Sequence, residues 1–390
     1  MYCTHHPIPF RRANTVVLRK PQKAAYDVPK AYRPVALLNT LGKLLEAIVA
    51  RQILYLAEQH NLLPKTQKGA QPGRSTLTAL ELLVEQIRAV WSTHQRLVAT
   101  LLSLDISGAF DNVSHKRLIH NLRNTGIPDW IGRCVSSFLQ GRTTILTLGE
   151  YKSSTMAVTT GILQGSTLSP ILFLFFSSTL LPELNRHRTT ATGFVDDTNI
   201  LTFIQSTEAN CRTLEKTHRT CATWEKTHGV TFAQEKYQPI QFIRKPKRFN
   251  MKATIQIPGF SGGPSPMIRI LGIHLDPRLI WGPHIRLTAA KATTQMAAVT
   301  RLAKSTWGAS FTRARQIYAA IVRPAMAYGS PIWFDAEDVR EGRNKAIYPL
   351  QVVQNRCLRA IAGAYRSTNV AELEHETSIK PLDICLERMS

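Results

Sequence analysis

Gly193–Ile204, GFVDDTNILTFI, sets two adjacent acids between apolar arms, Phe194-Val195 before them and Ile200-Leu201 after. Short apolar runs on either side of a polar pair read as strand, tight turn, strand. Two-residue hairpin turns favour Asn-Gly or Asp-Gly, which tolerate positive φ. Asp196-Asp197 instead puts two like charges side by side at the tip. A bound cation would remove that penalty; taken alone, the pair also reads as a solvated turn.

Outward from the pair, Leu97–Leu104 (LVATLLSL) reads as a buried strand that stops at Asp105. If the two strands are sheet neighbours, Asp105, Asp196 and Asp197 converge at one edge. Oxygen ligands of that kind suit two Mg²⁺ ions, roughly 3.5–4 Å apart, clamping an in-line phosphoryl displacement. The bland alternative makes Asp105 a helix cap. A third piece lies between the first acid and the pair: GILQGSTLSP (Gly161–Pro170) places Gln164 and Gly165 just before a capped helix start. Glycine allows close backbone approach, and a helix N-terminus favours a phosphate-bearing ligand.

The other elements read coarsely. A strand is expected at Thr15–Arg19, and a helix from Leu41 to Leu62 with Leu44, Leu45, Ile48, Val49, Ile53 and Leu54 on its apolar face. A second helix is expected near Thr76–Trp91, capped by Ser75 or Thr76. Short helices come next at Ser114–Asn124 and Pro128–Leu139, Pro128 suiting a first helical position. Thr143–Leu148 and Thr155–Thr159 read as a hairpin. The apolar run Ile171–Leu181 reads as one buried helix stopping at Pro182, too short to cross a bilayer. A helix at Thr207–Lys226 precedes strands around Thr231 and Gln238–Ile243. Arg244–Lys252 and Pro258–Pro266 read as a boundary, beyond which the chain turns helical and basic.

Charge points the same way. The 390 residues hold 49 Lys+Arg against 26 Asp+Glu, a formal net charge of +23, which suits a polyanionic partner, nucleic acid first. From Pro277 to Phe334 there is no Asp or Glu, while Arg278, Arg286, Lys291, Arg301, Lys304, Arg313, Arg315 and Arg323 are all basic. A solvated face normally mixes signs, so this stretch is read as a track for template–primer phosphates. The six cysteines are scattered without a Cys-x-x-Cys pair, and the N-terminus lacks the apolar core of a signal peptide. Both observations point to a reducing intracellular compartment, with no membrane partner.

In combination, DISGAFDNV (Asp105–Val113), GILQGSTLSPILF (Gly161–Phe173) and FVDD (Phe194–Asp197) resemble the palm motifs of reverse transcriptases, nearest those of non-LTR (LINE-type) retrotransposons of fungi. LRKPQK (Leu18–Lys23), YRPVALLNTLGKLLE (Tyr32–Glu46) and QKGAQPGRST (Gln67–Thr76) resemble that group's fingers motifs. EKYQPIQF (Glu235–Phe242), LGIHLDPRLIWGPHI (Leu271–Ile285) and YAAIVRPAMAYGSPIW (Tyr318–Trp333) resemble its later palm, thumb and connection.

The resemblance implies an α+β right-hand polymerase, with fingers at 1–95, palm at 96–255 (a reverse-transcriptase domain of about 1–277) and a basic helical thumb and connection at 256–390. It implies RNA-directed DNA synthesis from an RNA template, a DNA primer and dNTPs, with two Mg²⁺ ions for which Mn²⁺ can substitute. Asp105 and Asp196 would be the principal metal ligands, with Asp197 beside them and the Ile106 carbonyl added. Phe110, five positions after Asp105, matches the aromatic gate against a ribose 2′-OH. Lys20 and Arg33 match the cations that hold the triphosphate, Gln164 and Gly165 the loop over the nascent base pair, and Lys236 a later palm lysine near the leaving pyrophosphate. Leu163 and Thr167 stand where the family usually has Pro, and Ala70-Gln71 where it has an aromatic-Arg pair. Losing Pro loosens a loop that benefits from preorganisation. The full-length element would add an endonuclease ahead of this region and an RNase H after it, and would work in the nucleus.

Three alternatives stand beside this reading. An RNA-dependent RNA polymerase shares the acidic geometry, but Phe110 and Phe194-Val195 argue against it. An intron maturase-type reverse transcriptase, expected in a mitochondrion, shares the palm. A non-catalytic remnant of a decayed element would keep the basic stretch without turnover.

Overall fold

The sequence RANTVVLR forms β1 (Arg12–Arg19), and β2 (Tyr32–Leu38) pairs antiparallel with it, in register from Ala13–Leu38 to Arg19–Tyr32. These strands belong to a computed structural model that describes residues 4–21, 23, 25–93, 97–186, 188–244, 249–302, 310–337 and 346–389. Asn39 ends β2 and caps α1 (Thr40–Gln59), its side chain accepting from the Leu41 and Gly42 amides. Ser75 and Thr78 exchange side-chain and backbone bonds at the start of α2 (Thr76–Thr93). Then come β3 (Val98–Leu104), α3 (His115–Asn124), α4 (Asp129–Leu139), β4 (Arg142–Leu148), β5 (Tyr151–Lys152) and β6 (Met156–Val158). The first sheet has the order β2-β1-β4-β5, with β6 also on β4 and β1 parallel to β4.

The chain continues through α5 (Ser169–Phe176), α6 (Leu180–Leu184), β7 (Thr189–Phe194), β8 (Asp197–Ile204), α7 (Thr207–His228) and β9 (Gln238–Phe242). A small hairpin comes after it, β10 (Ile255–Ile257) with β11 (Phe260–Gly262). The second sheet has the order β7-β8-β3-β9. Six of the seven residues of β3 are buried, the pattern of a central strand covered on both faces. Helix α7 packs against β3 and β8, and α3 against α5. Leu102, Leu104, Phe173, Phe175, Phe176, Ile200 and Trp224 share one apolar core.

Contacts divide the chain into two compact units, Met1–Ala79, Val90–Gln241 and Lys245–Pro264 in the first and Leu80–Ala89, Phe242–Arg244 and Ser265–Ser390 in the second. The second contains the hairpin β12 (Ile268–Ile270) and β13 (Ile273–Leu275), then α8 (Gly282–Leu302). Helix α9 (Phe311–Ile317) runs through a π turn, Tyr318–Val322, into α10 (Arg323–Ala327) and α11 (Ser330–Trp333). The last helices are α12 (Tyr348–Ala362), α13 (Val370–Thr377) and α14 (Leu382–Glu387), with α12 packed on α8 and α13. The buried Tyr318 hydroxyl donates to Gln354 Oε1 at 2.7 Å. Among the described residues no helix is long and apolar enough to cross a membrane.

Four local expectations are corrected. The single apolar helix is two, α5 ending at a Ser177 cap where the Ser177 and Ser178 hydroxyls bond back to the Phe173 and Phe175 carbonyls; Pro182 lies inside α6. Leu44 and Ile48 of α1 are exposed, and its buried face is Gly42, Glu46, Val49, Ala50, Ile53 and Ala57. Pro128 is the N-cap of α4 rather than its first residue. The strand expected at Thr231 is reduced to one bridge between Phe232 and Ile106.

Candidate active site

Phe194 pairs with Asp197 across β7 and β8, so the two central turn residues are Val195 and Asp196. The sequence pattern puts both acids at the tip; the turn takes Asp196, and Asp197 opens β8. Val195 carries φ +58, a left-handed conformation that a β-branched residue adopts at a cost of about 1–3 kcal/mol. Leu104 pairs with Thr198, so the register carried one residue further sets Asp105 at the same end of the sheet as Asp197. The expected sheet neighbours are therefore neighbours.

Asp105 and Asp196 line a cavity of about 470 Å³ within the first unit; Asp197 is next to it but is not part of its wall. Lys20, Arg33, Phe110, Gln164, Gly165, Ile106 and Lys236 all line the same cavity. Lys236 Nζ donates to the Asp105 carboxylate. Ile106 bridges Phe232 through bonds of its neighbours, Ala233 N to the Asp105 carbonyl and Ser107 N to the Thr231 carbonyl, each 2.8 Å. The Ile106 carbonyl is not used in that bridge.

Burial, and then the Asp105 charge, raise the Asp196 carboxyl above its ordinary value. Burial, then Asp196 and Asp105, push Asp197 up to about 6. Burial and then the cations of Lys236 and Arg33 depress the Lys20 ammonium. Mutually repelling carboxylates of raised pKa are a set that a hard divalent cation would relieve. Among the described residues, no group of three or more His, Cys, Asp or Glu side chains is assembled to hold a metal by itself. The expected three-acid convergence is thus two acids on the cavity wall with the third alongside. That fits a hard divalent cation held by one or two carboxylates, with its other oxygen ligands coming from outside the protein rather than from an all-protein cage.

On the same cavity wall, Phe110 is half-buried and stacks on Phe173, centroids 5.4 Å apart and planes 12° apart. The Gln164 loop is fixed from three sides. Ala36 N of β2 donates to the Gln164 carbonyl at 2.6 Å, and Gln164 Nε2 donates to Asp111 Oδ1 at 3.0 Å. The buried Ser166 hydroxyl donates to Glu46 Oε2 at 2.6 Å. Gly165 has φ +121, and a Cβ there would lie 2.4 Å from the Ala36 carbonyl oxygen, so only glycine fits. Glu46 is itself buried beside Arg142 and His6, each with a nitrogen 3.8 Å from Oε1.

Of the basic residues assigned to phosphate contacts, Arg278, Arg286, Lys291, Arg313 and Arg315 are exposed in the second unit and Arg323 is half-buried. Arg315 donates to the Ser378 carbonyl at 3.3 Å. The side chain of Arg301 and the whole of Lys304 lie outside the described residues. Sequence reasoning missed Asp111 as the partner of Gln164, and gave no role to the Gln67–Gly69 segment that touches the hairpin. Signals for both exist: Asp111 comes directly after Phe110, and Gln67–Thr76 is a motif to which the sequence attaches no chemistry.

Comparison with known proteins places the chain in a family. Residues 18–275 match the reverse transcriptase (RNA-dependent DNA polymerase) family. The probable RNA-directed DNA polymerase from transposon BS of Drosophila melanogaster is 26% identical over 366 residues, covering 91% of this chain and 38% of that protein. The RNA-directed DNA polymerase from mobile element jockey of Drosophila melanogaster is 26% identical over 403 residues, covering 99% and 41%. The chain thus spans about two fifths of the curated relatives it matches. Both relatives are insect elements, so the expected affinity to fungal elements is not shown by them. The structure of telomerase from Candida albicans in complex with a TWJ fragment of telomeric RNA shares the fold at a TM-score of 0.52 and 9% identity, covering 96% of this chain and 68% of that one.

Proposed function

The chain belongs to the reverse transcriptase (RNA-dependent DNA polymerase) family, and on that premise we propose that this cavity copies the RNA of a non-LTR mobile element into DNA. The observation that carries the proposal is the cavity wall itself, which brings together Asp105, Asp196, Lys20, Arg33, Phe110 and Gln164. Asp105 and Asp196 would hold divalent cations, proposed as Mg²⁺, with Asp197 adding negative charge alongside. When bound, the cations supply charge neutralisation for the attacking primer 3′-oxygen and the leaving pyrophosphate. Lys20 and the exposed Arg33 fork hold the triphosphate, and Arg suits a bidentate hold on phosphate oxygens. The Phe110 ring, kept in place by Phe173, closes the space beside the sugar C2′. Gln164, held by Asp111 and the β2 backbone, presents its loop to the nascent base pair. Lys236 lies within reach of both the acids and the triphosphate side. With the reactants so aligned, positioning and electrostatics carry most of the rate.

The test is extension of an oligo-dT primer on poly-rA with Mg²⁺ or Mn²⁺. Asp196→Asn is expected to lower extension by at least about a thousandfold, since it removes a group acting on transition-state charge, while template–primer affinity stays within twofold. Extension by Asp196→Asn at the wild-type rate would sink the assignment, and a wild-type chain that binds template–primer but never extends would leave the non-catalytic reading.

A further inference from the structure

The loop between α1 and α2 is bonded to the β7–β8 turn. Segment Thr66–Gly69 adds to β7, the edge strand of the second sheet, through a parallel bridge between Gln67 and Gly193. Gly193 N donates to the Thr66 carbonyl at 3.0 Å, and Lys68 N to the Gly193 carbonyl at 2.8 Å. Gln67, only 3% exposed, reaches past that bridge, and its Nε2 donates to the Val195 carbonyl at 3.2 Å. Gly69 closes the contact. A Cβ on it would stand 2.5 Å from Val195 Cγ2 and 2.7 Å from Val195 N.

Val195 is the residue held in the left-handed region, and Asp196 comes directly after it. Strain of this kind persists only where the surroundings over-determine it. We infer that Gln67 and Gly69 are positioning residues for DNA synthesis, a brace that holds Val195 in its strained conformation and thereby aims Asp196 into the cavity. Gln67 supplies the amide that fixes the Val195 carbonyl, and Gly69 supplies the absence of a side chain that lets the loop lie on the turn. The inference rests on the reading of Asp196 as a metal ligand.

A double-mutant cycle tests it, because glycine at position 195 adopts positive φ without cost and so has no need of a brace. Gln67→Glu puts a carboxylate where the amide donor was. In the wild-type background it should lower kcat for primer extension about 10- to 100-fold, the scale of a displacement near 1 Å in an active site. The Mg²⁺ concentration for half-maximal rate should rise severalfold, with KM for dTTP and template–primer affinity within twofold. In a Val195→Gly background, itself keeping at least a tenth of wild-type kcat, the same substitution should change kcat less than threefold. Equal losses in the two backgrounds would overturn the brace, as would parallel loss of template–primer binding, which marks a folding element only. A Val195→Gly chain below a tenth of wild-type kcat would also overturn it, because the turn would then depend on the valine itself. If Gln67→Glu does not yield folded protein, Gln67→Met, which lacks the amide donor at similar length, enters the same cycle with the same expectations. Failure of the cycle with Asp196→Asn inactive rejects the brace alone; an active Asp196→Asn rejects the site reading beneath it.

Discussion

Gly165→Ala perturbs the cavity at a point where the structure permits a magnitude. The residue sits at φ +121, and the new Cβ would meet the Ala36 carbonyl oxygen at 2.4 Å. The Cβ position is fixed by the backbone at 165 and the oxygen belongs to the backbone at 36, so no flexible side chain can swing aside. Holding alanine in that region costs about 1–3 kcal/mol. Separation of the loop from β2 also breaks the bond from Ala36 N to the Gln164 carbonyl, worth about 1 kcal/mol. The sum is about 2–4 kcal/mol, a large share of the 5–15 kcal/mol typical of a domain. Gly149→Ala is the control: it also has positive φ, +58, but nothing lies within 4 Å of its Cβ, so it bears strain without contact. Urea denaturation should show a lower midpoint for Gly165→Ala than for Gly149→Ala at unchanged slope. Primer extension should fall about a hundredfold for Gly165→Ala, because Gln164 moves with the loop, and stay near wild type for Gly149→Ala. Equal midpoints for the two variants, or extension by Gly165→Ala within twofold of wild type, would refute the argument that β2 sets the loop.

Phe110→Val should narrow the discrimination between dNTP and rNTP in single-nucleotide insertion by about tenfold or more, since the ring that stacks on Phe173 is what fills the space; an unchanged ratio returns Phe110 to the core. Replacing exposed Arg313 and Arg315 with Ala should flatten the slope of log affinity against log salt by roughly one to two units on a template–primer duplex, and a wild-type slope would place the phosphate track elsewhere. Acid should destabilise the fold through buried histidines. His6, His228 and His284 are each lowered to about 4, burial being the first cause in all three. The folded chain therefore binds fewer protons than the unfolded one between about 4 and 6.5, so their stabilisation is complete above pH 6.5 and lost as pH falls through 4. The ceiling is about 3 kcal/mol for each, and a urea midpoint that stays level from pH 7.5 to 5 would contradict it.

The site was legible in the sequence where chemistry is tied to strand ends. Asp105 closes a run of apolar residues and Asp196 sits between two more, so period and charge located both before any contact was known. What escaped is what depends on geometry between distant segments. Nothing in FVDD says that Val195 rather than the second Asp takes the turn, because the choice is made by the Phe194–Asp197 pairing. Strand β2 escaped because Pro34 and the helical run behind it obscure the alternation, although Pro34 pairs with Val17. The first unit ends at Pro264, within the second of the two stretches, Arg244–Lys252 and Pro258–Pro266, read together as a boundary. Composition reports less well on the secondary structure beyond the boundary: β12 and β13 occupy ground expected to be helical, their strands only three residues each.

Helix α1 shows why periodicity alone could not find the deeper support of the site. Leu41, Leu44, Ile48 and Tyr55 are exposed, while Val49, Ala50, Ile53 and Ala57 are buried. Two apolar stripes run along one helix, and hydrophobicity cannot rank them. The buried stripe contains Glu46, the residue a pattern search assigns to solvent, at 1% exposure. An acid buried so deeply is costly unless its oxygens are partnered, and burial raises its pKa despite the Ser166 hydroxyl and the Arg142 cation that oppose the shift. Arg142, buried in turn, donates through Nε to the Phe138 carbonyl and lies over the Phe138 ring, 4.0 Å from its centroid. Glu46 therefore joins three segments that sequence keeps far apart: helix α1, the start of β4, and Ser166 one residue past Gly165. Replacing such a cluster with apolar residues can leave stability unchanged or improve it, so stability alone does not account for it. Its position does. An apolar side chain at 46 would pack equally well but could not accept from Ser166, and the loop that carries Gln164 would be held from two sides instead of three.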